Sequence, residues 1–251
     1  MKHLFIMSIT LVLSLSMGCK SSKTSSTGSA TLRAEDFNMA SSDQKAMDIA
    51  DAVVAASGGA DQYRNTEYLS WNFFGSRKHI WHKPTGDVYI ESIKEPIKVK
   101  MNINTKKGDV WIDDRKQMNQ DTLSKYLQKG YEWWVNDAYW IVFPFKLQDS
   151  GVTLKYVGQG QTQLGADAEI LALTFSNVGV TPDNKYLVYV DPSTNLVTQW
   201  DFYTDADDEA PRFQIPWLDY QDYGNIKLSG DRGQMKITEI SVADHPDVFR
   251  K

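Results

Sequence analysis

The sequence predicts a mainly β fold (α+β): a curved antiparallel sheet, curled toward a barrel, with a few short helices against it. Two observations carry this. About ten or eleven short segments alternate apolar and polar residues or stay apolar over strand length, and most are joined by turns. Two other stretches, residues 41–57 and 119–147, keep helical spacing. No internal repeat is present.

The first 19 residues, MKHLFIMSITLVLSLSMGC, stand outside this fold. Lys2 and His3 form a short polar region, and residues 4–15 form an apolar run too short to span a bilayer. This is the pattern of a secretory signal. Cys19, the single cysteine of 251 residues, follows the small Gly18 and gives the segment a resemblance to the lipobox of bacterial lipoproteins, although Ser16 stands where an aliphatic residue is usual. The resemblance implies cleavage before Cys19 and acylation of its sulfur. Several acyl chains on one residue anchor stably where one does not. An ordinary signal peptide leaving a free thiol is the alternative. Lys20, in place of the aspartate that retains lipoproteins at the inner membrane, implies sorting to the outer membrane, where the domain is expected to face the periplasm, with the leaflet left open. The expected organisation is a signal peptide at 1–18, a lipidated N-terminus and flexible tether at 19–40, rich in Ser, Thr, Gly and Lys, and one domain at 41–251.

Within the domain, residues 41–57 read as a helix: Ser41, Ser42 and Asp43 offer a cap, Met47, Ala50, Val53 and Val54 repeat at helical spacing, and Gly58-Gly59 stops it. Residues 60–66 add a further turn. The period then changes to two. Leu69, Trp71 and Phe73 alternate with polar neighbours, and residues 79–82 continue the pattern to a turn at 83–86. The clearest alternation is Ile97, Val99, Met101 and Ile103 against Lys98, Lys100, Asn102 and Asn104, a strand with one wet face. Residues 121–129 read as a short helix ending at Gly130, and the aromatic residues 131–143 as further helical pieces limited by Pro144. Strands resume at 152–157, 169–175, 186–190, 196–203, 217–223, 225–229 and 234–242. Asp191 to Asn195 form a turn in which Pro192 fixes φ and Asp and Asn tolerate turn geometry.

Composition narrows the function. The net charge is −5, and −6 without residues 1–18, whose one charged residue is Lys2. That balance argues against nucleic acid or anionic lipid headgroups as main partners. No cofactor is expected: there is no phosphate-binding glycine loop, dinucleotide fingerprint or nucleophile elbow. No metal is expected either. His79 and His82, three apart on a strand, point to opposite faces, and the acidic run Asp205 to Glu209 lacks the glycine a calcium loop needs.

Five segments in order, AVVAASGG (52–59), WHKPTG (81–86), YWIVFPFKL (139–147), NVGVTP (177–182) and YVDPSTNLV (189–197), resemble envelope lipoproteins with a domain similar to LolA and LolB. The resemblance covers about residues 44–247. It implies an incomplete antiparallel barrel wrapped over helices, with an apolar cavity that takes acyl chains or other lipids and no catalytic residues.

The residues expected to line that cavity are Trp71, Trp81, Trp133, Trp134, Tyr139, Trp140 and Phe143, because the aromatic load of 131–145 exceeds what one amphipathic face hides. Plugging of the barrel by the same rings is the opposing expectation. The leading function is a non-enzymatic, membrane-anchored protein binding a lipid or other apolar ligand. The alternatives are an enzyme acting on an envelope glycolipid or glycan, and a structural module docking to another envelope protein.

Overall fold

The computed structural model describes residues 31–176 and 183–249. The signal segment, Cys19 and the motif at 177–182 lie outside the described residues. Helices α1 (Gln44–Ala56) and α2 (Ala60–Asn65) lead into a run of antiparallel strands: β1 (Tyr68–Phe73), β2 (Arg77–His82), β3 (Asp87–Ser92), β4 (Ile97–Asn102), β5 (Lys107–Ile112) and β6 (Arg115–Lys116). Helix α3 (Gln120–Val142) interrupts the strands and ends in a 3-10 turn at Phe143–Phe145. Then come β7 (Val152–Gln161), β8 (Asp167–Phe175), β9 (Lys185–Val190), β10 (Val197–Tyr203), β11 (Phe213–Pro216), β12 (Leu218–Tyr223), β13 (Ile226–Arg232), β14 (Met235–Ser241) and the short α4 (Pro246–Phe249).

The strands make two sheets. One has nine strands in the order β12-β13-β14-β1-β2-β3-β4-β5-β6, and the other five in the order β11-β10-β9-β8-β7. The chain passes from β11 in one sheet to β12 in the other across Trp217 alone, so this residue marks the corner. The sheets do not close into a barrel. The result is an unclosed antiparallel structure over helices, as expected.

Alternation sets the inward faces. Ile97, Val99 and Met101 are buried, while Lys98 and Lys100 point outward and Lys98 Nζ reaches Asp114 at 2.7 Å. Register carries the pattern across the sheet: Val88 faces Met101, Ile90 faces Val99, and Val99 faces Val110. The turn at 191–195 is built as its residues predict. Asp191 Oδ1 accepts from the Ser193 and Thr194 amides at 2.7 and 2.8 Å, and Asn195 takes a left-handed φ of 56°.

Two apolar cores result. One lies between α3 and the nine-stranded sheet and includes Leu69, Trp71, Ile90, Val99, Leu127 and Ile141. The other joins α1, the 3-10 turn and the five-stranded sheet through Met47, Val53, Phe143, Leu154, Leu173 and Trp200.

Two expectations need correction. The helix expected to end at Gly130 runs on to Val142 as one element of 23 residues, started by Asn119, whose side chain accepts from the Thr122 amide. Gly130 is there for close approach: a Cβ on it would lie 2.9 Å from Val99 Cγ1. Residues 34–40, expected to belong to the tether, are instead packed on the domain. Phe37 is buried in the second core, the Ala34 amide donates to Gln148, and the Asn38 and Asp43 amides donate to the Val152 and Leu154 carbonyls, covering the first half of the β7 edge.

Alanine at position 130 should be a better helix former than glycine by about 1 kcal/mol. Overpacking against the stiff Val99 side chain costs about 1–3 kcal/mol. Gly130→Ala should therefore lower the urea midpoint of unfolding, and a raised midpoint would show that the helix–sheet spacing there is not fixed by sterics.

Candidate binding site

A cavity of about 580 Å³ lies between the second half of α3 and the five-stranded sheet. Its sheet wall is a row of rings, one from each of four adjacent strands: Phe175 on β8, Tyr186 on β9, Phe202 on β10 and Phe213 on β11. Register assembles the row. Tyr186 sits opposite Phe202, and Phe202 opposite Phe213, with ring centroids 5.2 and 4.8 Å apart. Trp200 lies two residues further along β10. Trp134, Ala138, Tyr139 and Trp140 face them from α3, and Phe73 and Trp81 close the side nearest the large sheet. Lys146, Asp149, Ser150, Asn136 and Asn184 supply the polar part of the wall. Burial pushes the Tyr139 and Tyr186 hydroxyls well above the usual phenol range, so both keep their protons.

The seven residues expected to line a cavity divide in two. Trp81, Trp134, Tyr139 and Trp140 are in the wall. Trp71, Trp133 and Phe143 are not. Trp71 is buried and stacks on His79 at 4.6 Å; Phe143 is buried against Trp200 and Trp217; Trp133 lies on the large-sheet side of α3 with the Arg77 guanidinium 5.3 Å from its ring. For the helix pair the physical reason is helical geometry: about 100° around the axis separates Trp133, turned to Arg77, from Trp134, which meets Trp81 edge-on in the cavity wall. The rings of β8–β11 were not anticipated. Their one signal in the sequence is an aromatic residue near the same end of four successive strands.

A charged cluster beside the cavity also escaped the sequence. Asp137 on α3 is fully buried and takes two hydrogen bonds from Arg77, Nε at 2.6 Å and Nη2 at 2.8 Å. His79 Nε2 lies 2.7 Å from the same carboxylate, and Asn136, itself in the cavity wall, donates to it at 2.9 Å. Burial alone would push the Asp137 carboxyl up; hydrogen bonds and charge from Arg77 and His79 outweigh it and hold the carboxyl below its usual range. Burial lowers His79 despite the carboxylate beside it, so the imidazole is neutral, with its proton on Nε2 toward Asp137. His82 is on the other face, stacked on Tyr68 at 4.5 Å and bonded to Thr85, as its spacing from His79 predicts. Among the described residues no three His, Cys, Asp or Glu side chains gather as a metal site.

No protein-family model matches the chain, and no curated protein matches it in sequence. Among solved structures it is similar to a DUF1329 family protein from Desulfovibrio piger, at 14% identity and a TM-score of 0.40, over 78% of this chain and 92% of that one. It is also similar to an outer membrane lipoprotein-sorting protein domain from Vibrio parahaemolyticus, at 11% identity and a TM-score of 0.39, over the same shares of each chain, 78% and 92%. A third likeness, to MucB, has 15% identity and a TM-score of 0.27 over 83% of this chain and 63% of that one. These likenesses are distant in sequence and in shape, and no residue role is carried over from them.

The buried cluster predicts an acid-sensitive fold. Asp137, held low, contributes stability that is present above the ordinary carboxylate range and is lost as pH falls from there through its own lower folded value. His79, also held low, begins to cost stability once pH drops below its ordinary value near 6.5, where the unfolded chain takes the proton first. The unfolding free energy should therefore decline between about pH 7 and pH 5, and His79→Gln should flatten that decline. Equal slopes in chemical denaturation of the two proteins would remove His79 as the cause.

Proposed function

We propose that this chain is an envelope lipoprotein that binds a lipid or other apolar ligand in the cavity between α3 and the five-stranded sheet, without catalysis. The observation that carries the reading is the cavity itself: about 580 Å³ walled mainly by rings, with a few polar groups. Small-molecule sites have volumes of about 300–1,000 Å³ and this kind of lining. Rings that only plugged the structure would leave no such space. The glycan-cleaving alternative needs two facing carboxylates, and among the described residues the cavity wall holds one, Asp149. The anchoring half of the proposal rests on the signal segment and the position of Cys19.

Lipids that co-purify with the protein, identified by mass spectrometry, test the reading directly. A neutral environment-sensitive dye tests the wall. Phe202→Ala should weaken dye uptake about tenfold, which is ~1.4 kcal/mol, and shift melting little. Phe143→Ala, a buried residue outside the wall, should cost about 3–5 kcal/mol of stability. No uptake by the wild type, or uptake indifferent to Phe202, would reject the cavity as a ligand site.

For the anchor, metabolic labelling with a fatty-acid probe should mark the wild type and not Cys19→Ser, with the labelled protein in the outer-membrane fraction. Equal labelling of both proteins would reject acylation at Cys19.

A further inference from the structure

Most of the cavity's polar groups are gathered at one end. Lys146, Asp149 and Ser150 precede β7, and Asn184 precedes β9. With Val152 opposite Phe175, and Thr174 opposite Lys185, the sheet brings both segments to the same end of its strands. Asn136 stands apart on α3, turned to Asp137. Lys146 Nζ pairs with the Asp149 carboxylate, and both side chains remain about a third exposed. A second ammonium lies behind them. Lys83 Nζ sits 3.5 Å from the centre of the Tyr63 ring and donates to the Tyr63 carbonyl. Tyr63 in turn stacks at 4.2 Å on Phe145, the chain neighbour of Lys146. Lys83 makes no ion pair among the described residues. Burial, with the charge of Lys146 added, brings it down to about 7. Lys146, paired with Asp149 and with Lys83 behind it, is thus the cationic group of the cavity wall.

We infer that the ligand is an anionic amphiphile, with its tail among the rings and an oxyanion head, carboxylate or phosphate, at Lys146. This rests on the binding reading above. An oxyanion takes charge-assisted hydrogen bonds from Lys146, beside the Ser150 hydroxyl and the Asn184 amide, and offsets the repulsion between Lys146 and Lys83. A neutral head makes no charge-assisted bond and leaves Lys146 with Asp149 alone. Specificity at this end follows from charge, while most of the affinity comes from the rings.

The test displaces a neutral dye from the full chain with three probes of one chain length: a long-chain fatty carboxylate, the alkyl monophosphate and the fatty methyl ester. One or both anions should bind about tenfold tighter than the ester, ~1.4 kcal/mol. Preference for one anion identifies a free fatty acid or a phosphorylated lipid as the source. Lys146→Gln should bring the ratio close to one while the ester binds as before. Asp149→Asn, which frees Lys146 from its partner, should widen the ratio. Equal binding of anions and ester by the wild type, or an unchanged ratio in both variants, overturns the head-group inference and leaves the cavity as an apolar site. Failure of all three probes to bind a cooperatively folded protein overturns the binding reading itself.

Discussion

The site depends on holding the second half of α3 between two sheets, and a missing proton donor decides how that is done. In a helix the Trp140 carbonyl would accept from the amide of residue 144, but residue 144 is proline and has none. Arg232 on β13 supplies the donor, with Nη2 at 2.7 Å from the Trp140 carbonyl. The same guanidinium bonds the Ser229 hydroxyl and lies 3.5 Å above the Trp217 ring, at the corner where the chain crosses between sheets. One cation thus ties the helix end, the large sheet and the corner. Burial brings it down only to about 9, so it stays charged at neutral pH and suits a helix C-terminus. Three residues earlier, Asp137 is pinned to β2 by Arg77 and His79. Removing one partner of such a buried pair costs about 3–5 kcal/mol, far more than the pair itself contributes over an apolar substitute. The two pins flank Ala138 and Tyr139, so the wall they provide is held at both ends.

α3 is therefore a helix with two apolar faces. Leu127, Gly130 and Ile141 meet the large sheet, while Tyr139 and Trp140 meet the cavity and the small sheet. Trp140 joins the layers, with its ring 5.3 Å from Phe74 and 4.8 Å from Trp200. A helix with two apolar faces must be covered on both, and in the second half of α3 the two sheets do so without filling all the space between them.

Much of this fold was legible in the sequence where strands alternate, β4 above all. Ile97, Val99 and Met101 point inward for the reason that Lys98 and Lys100 cannot. Turns were legible where Asp, Pro and Asn act locally. Gly130 was misread because a glycine that ends a helix and one that admits a neighbouring side chain look alike until Val99 is placed beside it. The site was half legible. Trp81, Trp134, Tyr139 and Trp140 belong to it, yet Trp71 and Phe143 are equally aromatic and belong to the core. The remaining wall comes from four successive strands, and only sheet register makes Phe175, Tyr186, Phe202 and Phe213 neighbours. The Asp137–His79–Arg77 cluster left no mark, since three ordinary letters on a helix and a strand acquire meaning only through contact.

The strap formed by residues 34–43 has a consequence for orientation. It runs beside residues 148–154, with Ala34 bonded to Gln148, Gly151 to Asp36 and Asn38 to Val152. Asp149, Ser150 and Val152 of that stretch belong to the cavity wall. An acyl group on Cys19 would then sit about fifteen residues from the first strapped amide, a leash of at most about 50 Å fully extended. The first strapped residues thus lie beside Asp149 and Ser150 of the cavity wall. Tethered this way, the mouth would meet amphiphiles of the anchoring membrane at an effective concentration fixed by leash length, so that even a modest intrinsic affinity would suffice for occupancy.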